Sequence, residues 1–146
     1  MNQKLKDTIL YILNKSEFSI TKTRLVKLIY LADLFSKQKR QKKITGVSYN
    51  YYYYGPFSKQ ILETLDSLVA EKVIEERHVA SPQGRKYLVY NTYNKINAFP
   101  SLNQGDLAIL DGVFQRYGSL NFKDLIAYVY ETKPIKKNHQ GKEKIL

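Results

Sequence analysis

The chain has 146 residues, of which 43% are apolar, and carries a formal net charge of +11 with a pI near 9.7. That length suits one compact domain burying about two-thirds of the surface its unfolded chain exposes. Cysteine is absent, which excludes disulfides and thiol chemistry, and no run of about 18 apolar residues could span a bilayer, so a cytoplasmic protein without a membrane partner is expected.

Apolar spacing at Leu5, Ile9, Ile12 and Leu13 predicts a first amphipathic helix over about Asn2 to Leu13. Its lysines alternate with the apolar positions and no small-residue cleavage site follows, so it does not read as a signal peptide. After the polar break Asn14–Ser16, Thr21 is a candidate N-cap for a second helix reaching about Lys37. Leu25, Leu28, Ile29, Ala32 and Phe35 form its stripe. Val26, Tyr30, Leu31 and Leu34 widen that stripe, which predicts a central core helix with Lys22, Lys27 and Lys37 on its remaining surface. A polar, basic turn over Ser36–Gly46 precedes Val47–Phe57, where Tyr49 and Tyr51 to Tyr54 favour an extended segment closed by the Gly55-Pro56 turn.

Ser58 is a natural N-cap for a third helix to about Lys72. Two strands, Val73–Val79 and Lys86–Asn91, flank the breaker-rich Ser81–Arg85 and predict a hairpin. Beyond a connector at Asn94–Pro100, a fourth helix is expected over Asn103–Tyr117, with Gly118 as its stop. A fifth follows Asn121, has Asp124 in its first turn, and reaches about Thr132. Pro134 ends the pattern. The expectation is therefore one mostly α (α+β) domain over residues 1–135, followed by a basic, disordered tail over 136–146. Three helices, a small antiparallel β-hairpin and a C-terminal helical pair follow one another in a winged-helix-like order.

Residues for catalysis are scarce. His78 falls in a strand and His139 in the tail, neither with an acid or nucleophile at a recognisable spacing. A lone strand histidine is ordinarily a surface residue. Asp106 and Asp111 are five apart and share no helix face, and Glu75-Glu76 point to opposite sides of a strand, so neither pair suggests a metal site. Gly46 and Gly84 stand alone, without a phosphate-cradling loop. No enzyme, metal or cofactor is expected.

Charge and aromatic content point instead to contact with another macromolecule. Between Thr21 and Lys43 lie Lys22, Arg24, Lys27, Lys37, Lys39, Arg40, Lys42 and Lys43, opposed only by Asp33. A second basic group occupies Lys133, Lys136, Lys137, Lys142 and Lys144. Such clusters steer polyanions or acidic proteins, or simply solvate the surface. In the tyrosine run, alternation sends Tyr49, Tyr51 and Tyr53 to one side and Tyr52 and Tyr54 to the other; one set is expected in the core, the other exposed as anchors. Tyr51, Tyr53, Tyr54, Pro56 and Phe57 are the candidate apolar anchors. Lys37, Lys39, Arg40, Lys42 and Lys43 are the candidate steering or nucleic-acid-contacting cations. A winged-helix DNA-binding regulator is the alternative, but the third helix, its would-be reading helix, carries Glu63, Asp66 and Glu71 on polar positions, a poor match to DNA.

Three blocks also resemble a known family. Leu25-Val26-Lys27-Leu28-Ile29-Tyr30-Leu31-Ala32-Asp33 resembles the helix signature of the Panacea domain, the SocA-like antitoxin domain. Tyr53-Tyr54-Gly55-Pro56-Phe57-Ser58 is similar to its aromatic, Gly-Pro and next-helix junction. Asp111–Gly118 followed by Leu125 resembles its C-terminal helical pair. Glu131-Thr132-Lys133-Pro134 stands where members carry His-x-Glu-x-Pro-Trp, with Val129 in place of the histidine and Ile135 in place of the tryptophan. The resemblance spans roughly residues 5 to 135. It implies a type II antitoxin, a phage- or mobile-element-associated protein that neutralises a cognate toxin by direct binding. One characterised relative acts as an adaptor delivering its toxin to a protease.

Overall fold

Side-chain caps set where the helices begin. In the computed structural model, which describes residues 2–52, 55–137 and 144–146, Asn2 accepts from the Leu5 N–H at the start of α1 (Gln3–Lys15). Thr21 does the same for Arg24 at α2 (Lys22–Arg40), and Gln41 stops that helix in a left-handed conformation at φ 63°. Three short strands intervene: β1 (Ile20–Thr21), which was not expected, before α2, then β2 (Asn50–Tyr52) paired with β3 (Gly55–Phe57) where an extended segment and a turn were expected. Ser58 caps α3 (Lys59–Ala70). The predicted hairpin is β4 (Ile74–Ala80) and β5 (Lys86–Thr92), with Glu76 opposite Tyr90. Asn103 and Asp106 form a reciprocal capping box at α4 (Gln104–Tyr117), Gly118 ends it, and Asn121 caps α5 (Phe122–Tyr130). The α+β class is as expected, with strand order β1-β5-β4 in the larger sheet.

Helix α2 runs through the centre of the core. Leu25, Leu28, Ile29, Tyr30 and Leu31 are essentially inaccessible to water, and each such leucine contributes about 2 kcal/mol relative to exposure. A helix so apolar has little outward surface, and even Lys27 is only 3% exposed. The sequence placed Lys27 on the surface of α2; the hairpin β2–β3 and α5 cover it instead, a tertiary effect that helical spacing alone does not reveal.

Two buried carboxylates organise the loop and the helix ends. Asp33 is fully buried on α2 and accepts from Thr45 N (2.9 Å), Thr45 Oγ1 (2.5 Å) and the Tyr49 hydroxyl (2.6 Å). Burial raises its pKa while those hydrogen bonds pull it back. The Tyr49 ring meets Tyr30 edge-on at 5.4 Å, so the loop from 41 to 49 is clamped onto α2 before β2 begins. Asp106 works at the other end of α2. Burial opposes its charge, but bonds from Lys4 Nζ (2.8 Å), Arg40 Nη2 (2.7 Å) and the Asn103 N–H outweigh that penalty and hold the carboxyl below its ordinary range. This one side chain ties α1, α2 and α4 together.

The C-terminal region departs from the expected frayed tail. Lys133–Lys137 form a short helix, α6, and Ile135 is buried. Residues 144–146 lie against the start of β2: Tyr49 N donates to Leu146 O, Ile145 N donates to Tyr49 O, and Ile145 and Leu146 are buried. The apolar Ile-Leu pair finds an unpaired strand edge, which outweighs the lysines around it. His139 and the tail lysine Lys142 lie outside the described residues.

Candidate partner-binding surface

Alternation along the tyrosine run carries through to Tyr52. Tyr49 points into the core, Tyr51 is half-buried, and Tyr52 on the opposite side is 39% exposed. The Tyr52 and Phe57 rings lie 5.3 Å apart across the β2–β3 pair at an interplanar angle of 33°. With Val26 on α2, Pro56 on β3 and Leu62 on α3 they line a groove of about 150 Å³. Gly55 allows the hairpin to sit this close: at φ +104° a side chain would be strained, and a Cβ there would stand 3.3 Å from the Tyr130 ring.

Beneath the groove lies Lys27. Its ammonium is 5.5 Å from the centroid of the partly exposed Phe122 ring, a cation–π arrangement, and burial pushes its pKa down to about 8. A short network fixes the platform behind. Thr132 Oγ1 donates to Val129 O (2.6 Å) and so accepts from the Tyr30 hydroxyl (2.8 Å), fastening α5 to α2.

The sequence-derived anchors therefore fall into three groups. Tyr51 and Phe57 are half-buried and Pro56 is buried as part of the groove wall. Tyr53 and Tyr54 lie outside the described residues. Tyr52, Lys27 and Leu62 line the groove, and Phe122 sits against Lys27, although sequence pattern alone does not single them out. Tyr52 could have been found as the residue out of phase with Tyr49, and Lys27 as the one cation inside an unbroken apolar block. Among the described residues the most exposed large apolar side chain, Phe18 at 80%, stands on the turn between α1 and β1, and a single such residue is ordinary.

The five candidate cations divide differently. Arg40 is held by Ser36 and Asp106, and Lys43 donates to Val47 O, so both brace the fold. Lys37, Lys39 and Lys42 are exposed. From Lys27 to Lys39 the helix rises about 18 Å, so aromatic groove and basic cluster sit at opposite ends of α2. Adjacency in sequence did not become one continuous site.

Among the described residues, no three His, Asp or Glu side chains gather as a metal site, and no helix is long and apolar enough to cross a membrane. His78 is exposed on β4. Val129 and Ile135, which replace the histidine and tryptophan of the resembled motif, are both core residues, so this end of the molecule packs. No curated protein and no solved structure matches the chain significantly. Residues 25–134, from the start of the buried stretch of α2 through the groove to α6, match the family described as antitoxin SocA-like, Panacea domain, and the chain belongs to that family.

Proposed function

We propose that the chain neutralises a toxin protein by direct contact, with the groove between α2, the β2–β3 hairpin and α3 as the anchoring surface. The observation that carries this is the Tyr52–Phe57 pair: two rings in tilted contact at an apolar groove, one of them substantially exposed, on a platform fixed by α2. Rigid aromatic side chains lose little entropy on binding and fill a partner's pockets, as interface anchors do. Pro56 and Phe57 shape the groove, Tyr51 packs against the core behind it, Tyr53 and Tyr54 complete the proposed set of anchors, and Lys37, Lys39 and Lys42 raise the encounter rate with an acidic toxin.

The mechanism is occlusion of the toxin's working surface. The DNA-regulator alternative is weaker, since the exposed face of α3 carries Glu63 and Asp66, and Glu71 follows at its C-cap. Growth rescue tests the proposal. The chain is expressed with the toxin encoded by the neighbouring reading frame, as wild type and as Tyr52→Ala with Phe57→Ala. Rescue should be lost in the double variant while its expression persists, and toxin should remain abundant in rescued cells. Full rescue by the double variant removes the groove from the account, and disappearance of the toxin replaces occlusion by delivery to a protease.

A further inference from the structure

At the far end of α2 a second, larger groove runs between that helix and α4, with a volume of about 420 Å³. Its floor is apolar, from Phe35, Ile109 and Val113. The α4 wall is unusually low because it presents Gly105, Ala108 and Gly112. Glycine within a helix is less stable than alanine by about 1 kcal/mol, and no atom lies within 4 Å of a Cβ built on Gly112, so nothing inside the fold requires glycine there.

The rim is cationic. Asp106 is already bound by both Lys4 and Arg40, which leaves that trio with net positive charge. Lys39 and Arg116 also line the groove, and neither forms an ion pair with a described residue. Apolar floor, low helical wall and cationic rim together define the complement. The 14 residues of α4 extend about 21 Å, enough to lie alongside four turns of a second helix.

We propose that the α2–α4 groove docks an acidic amphipathic helix of a partner protein. The partner's apolar stripe lies over Phe35, Ile109 and Val113, the small α4 residues let the two backbones approach, and flanking carboxylates pair with Lys39 and Arg116. Duplex nucleic acid fits less well, because phosphates gain nothing from an apolar floor. This surface is separate from the aromatic groove and stands whether or not that groove holds a toxin.

The test is a titration of the isotope-labelled full chain, followed by amide NMR shifts, with a synthetic helical peptide of about 18 residues bearing leucines on one face and glutamates beside them. Saturable shifts are expected at Phe35, Lys39, Ala108, Gly112 and Arg116, and none with the peptide whose glutamates are replaced by lysine. Lys39→Glu with Arg116→Glu should weaken binding about tenfold or more. Gly112→Leu should fill the groove and abolish binding; should it perturb the fold, the charge-reversed variant alone decides. Absence of saturable shifts, shifts confined to the β2–β3 hairpin, or binding indifferent to the charge reversal overturns the proposal. So does a duplex of about 20 base pairs that binds these residues more tightly than the peptide.

Discussion

The two ends of α2 use the same helix in opposite ways. Its first half buries a cation, Lys27, beside the Phe122 ring, with Tyr52 exposed and Phe57 half-buried next to it. Its last turns do the reverse, covering an apolar floor only partly and exposing cations around it. At the aromatic end contact area and desolvation dominate, so substitutions there should act on complex lifetime. At the cationic end long-range attraction dominates, so substitutions should act on encounter rate and fade with salt. Net charge alone, +11 over the chain, does not separate these roles.

Asp33 connects the ends, because the loop it clamps leaves one and leads to the other. Asp33→Ala would strand the Thr45 N–H and the Tyr49 hydroxyl in the core and should cost about 3 kcal/mol, read as a lower denaturant midpoint. A loss well under 1 kcal/mol would show that the loop holds without its clamp.

Lys27 comes next in size and belongs to the aromatic end alone. Its folded pKa, about 8, lies below its ordinary 10.5, so the unfolded chain holds this proton more tightly. The penalty is complete below pH 8 and is relieved as pH rises from about 8 to about 10, where this residue makes the fold more stable. Tyr11 and Tyr30, pushed up to about 12, act in the opposite direction above pH 10, as the unfolded chain's tyrosines ionise first. Denaturation curves across pH 7 to 11 should therefore rise and then fall. Lys27→Met should remove the rise and add about 2 kcal/mol at pH 7. An unchanged rise in that variant would assign it to other groups.

Gly112→Ala, at the cationic end, has the smallest expected effect: a gain of about 0.8 kcal/mol, or a few degrees in Tm, since the added methyl meets nothing. Destabilisation would mean that α4 needs the glycine for its own conformation. Gly118→Ala is the contrasting control, because its Cβ would stand 2.5 Å from Phe114 O.

Local chemistry was legible in the sequence, and long-range packing was not. Thr21 and Ser58 each cap the helix they were expected to cap, because a side-chain oxygen needs only the N–H three residues on, and Asn103 and Asn121 do the same for the two helices expected to begin near them. The β4–β5 hairpin followed from its turn residues. By contrast, β1 is a strand because Ile20 meets Tyr90, seventy residues later, and 144–146 are ordered because Tyr49 offers them an edge. The same limit governs the site. Alternation separated Tyr49 from Tyr52, but which side faced outward was decided by Asp33 reaching the Tyr49 hydroxyl. The family blocks were visible from Leu25 onward; the burial of Lys27 within the first of them required the hairpin and α5 in place.

The central claim, that aromatic contact at the α2–hairpin groove carries partner binding, is tested most directly by calorimetric titration of the toxin into the purified chain. Tyr52→Ala with Phe57→Ala should bind about thirtyfold more weakly, a loss near 2 kcal/mol, with its melting temperature little changed. Wild-type affinity in that double variant, alongside a large loss on reversing Lys37 and Lys39, would place the binding energy at the other end of the helix and contradict the account.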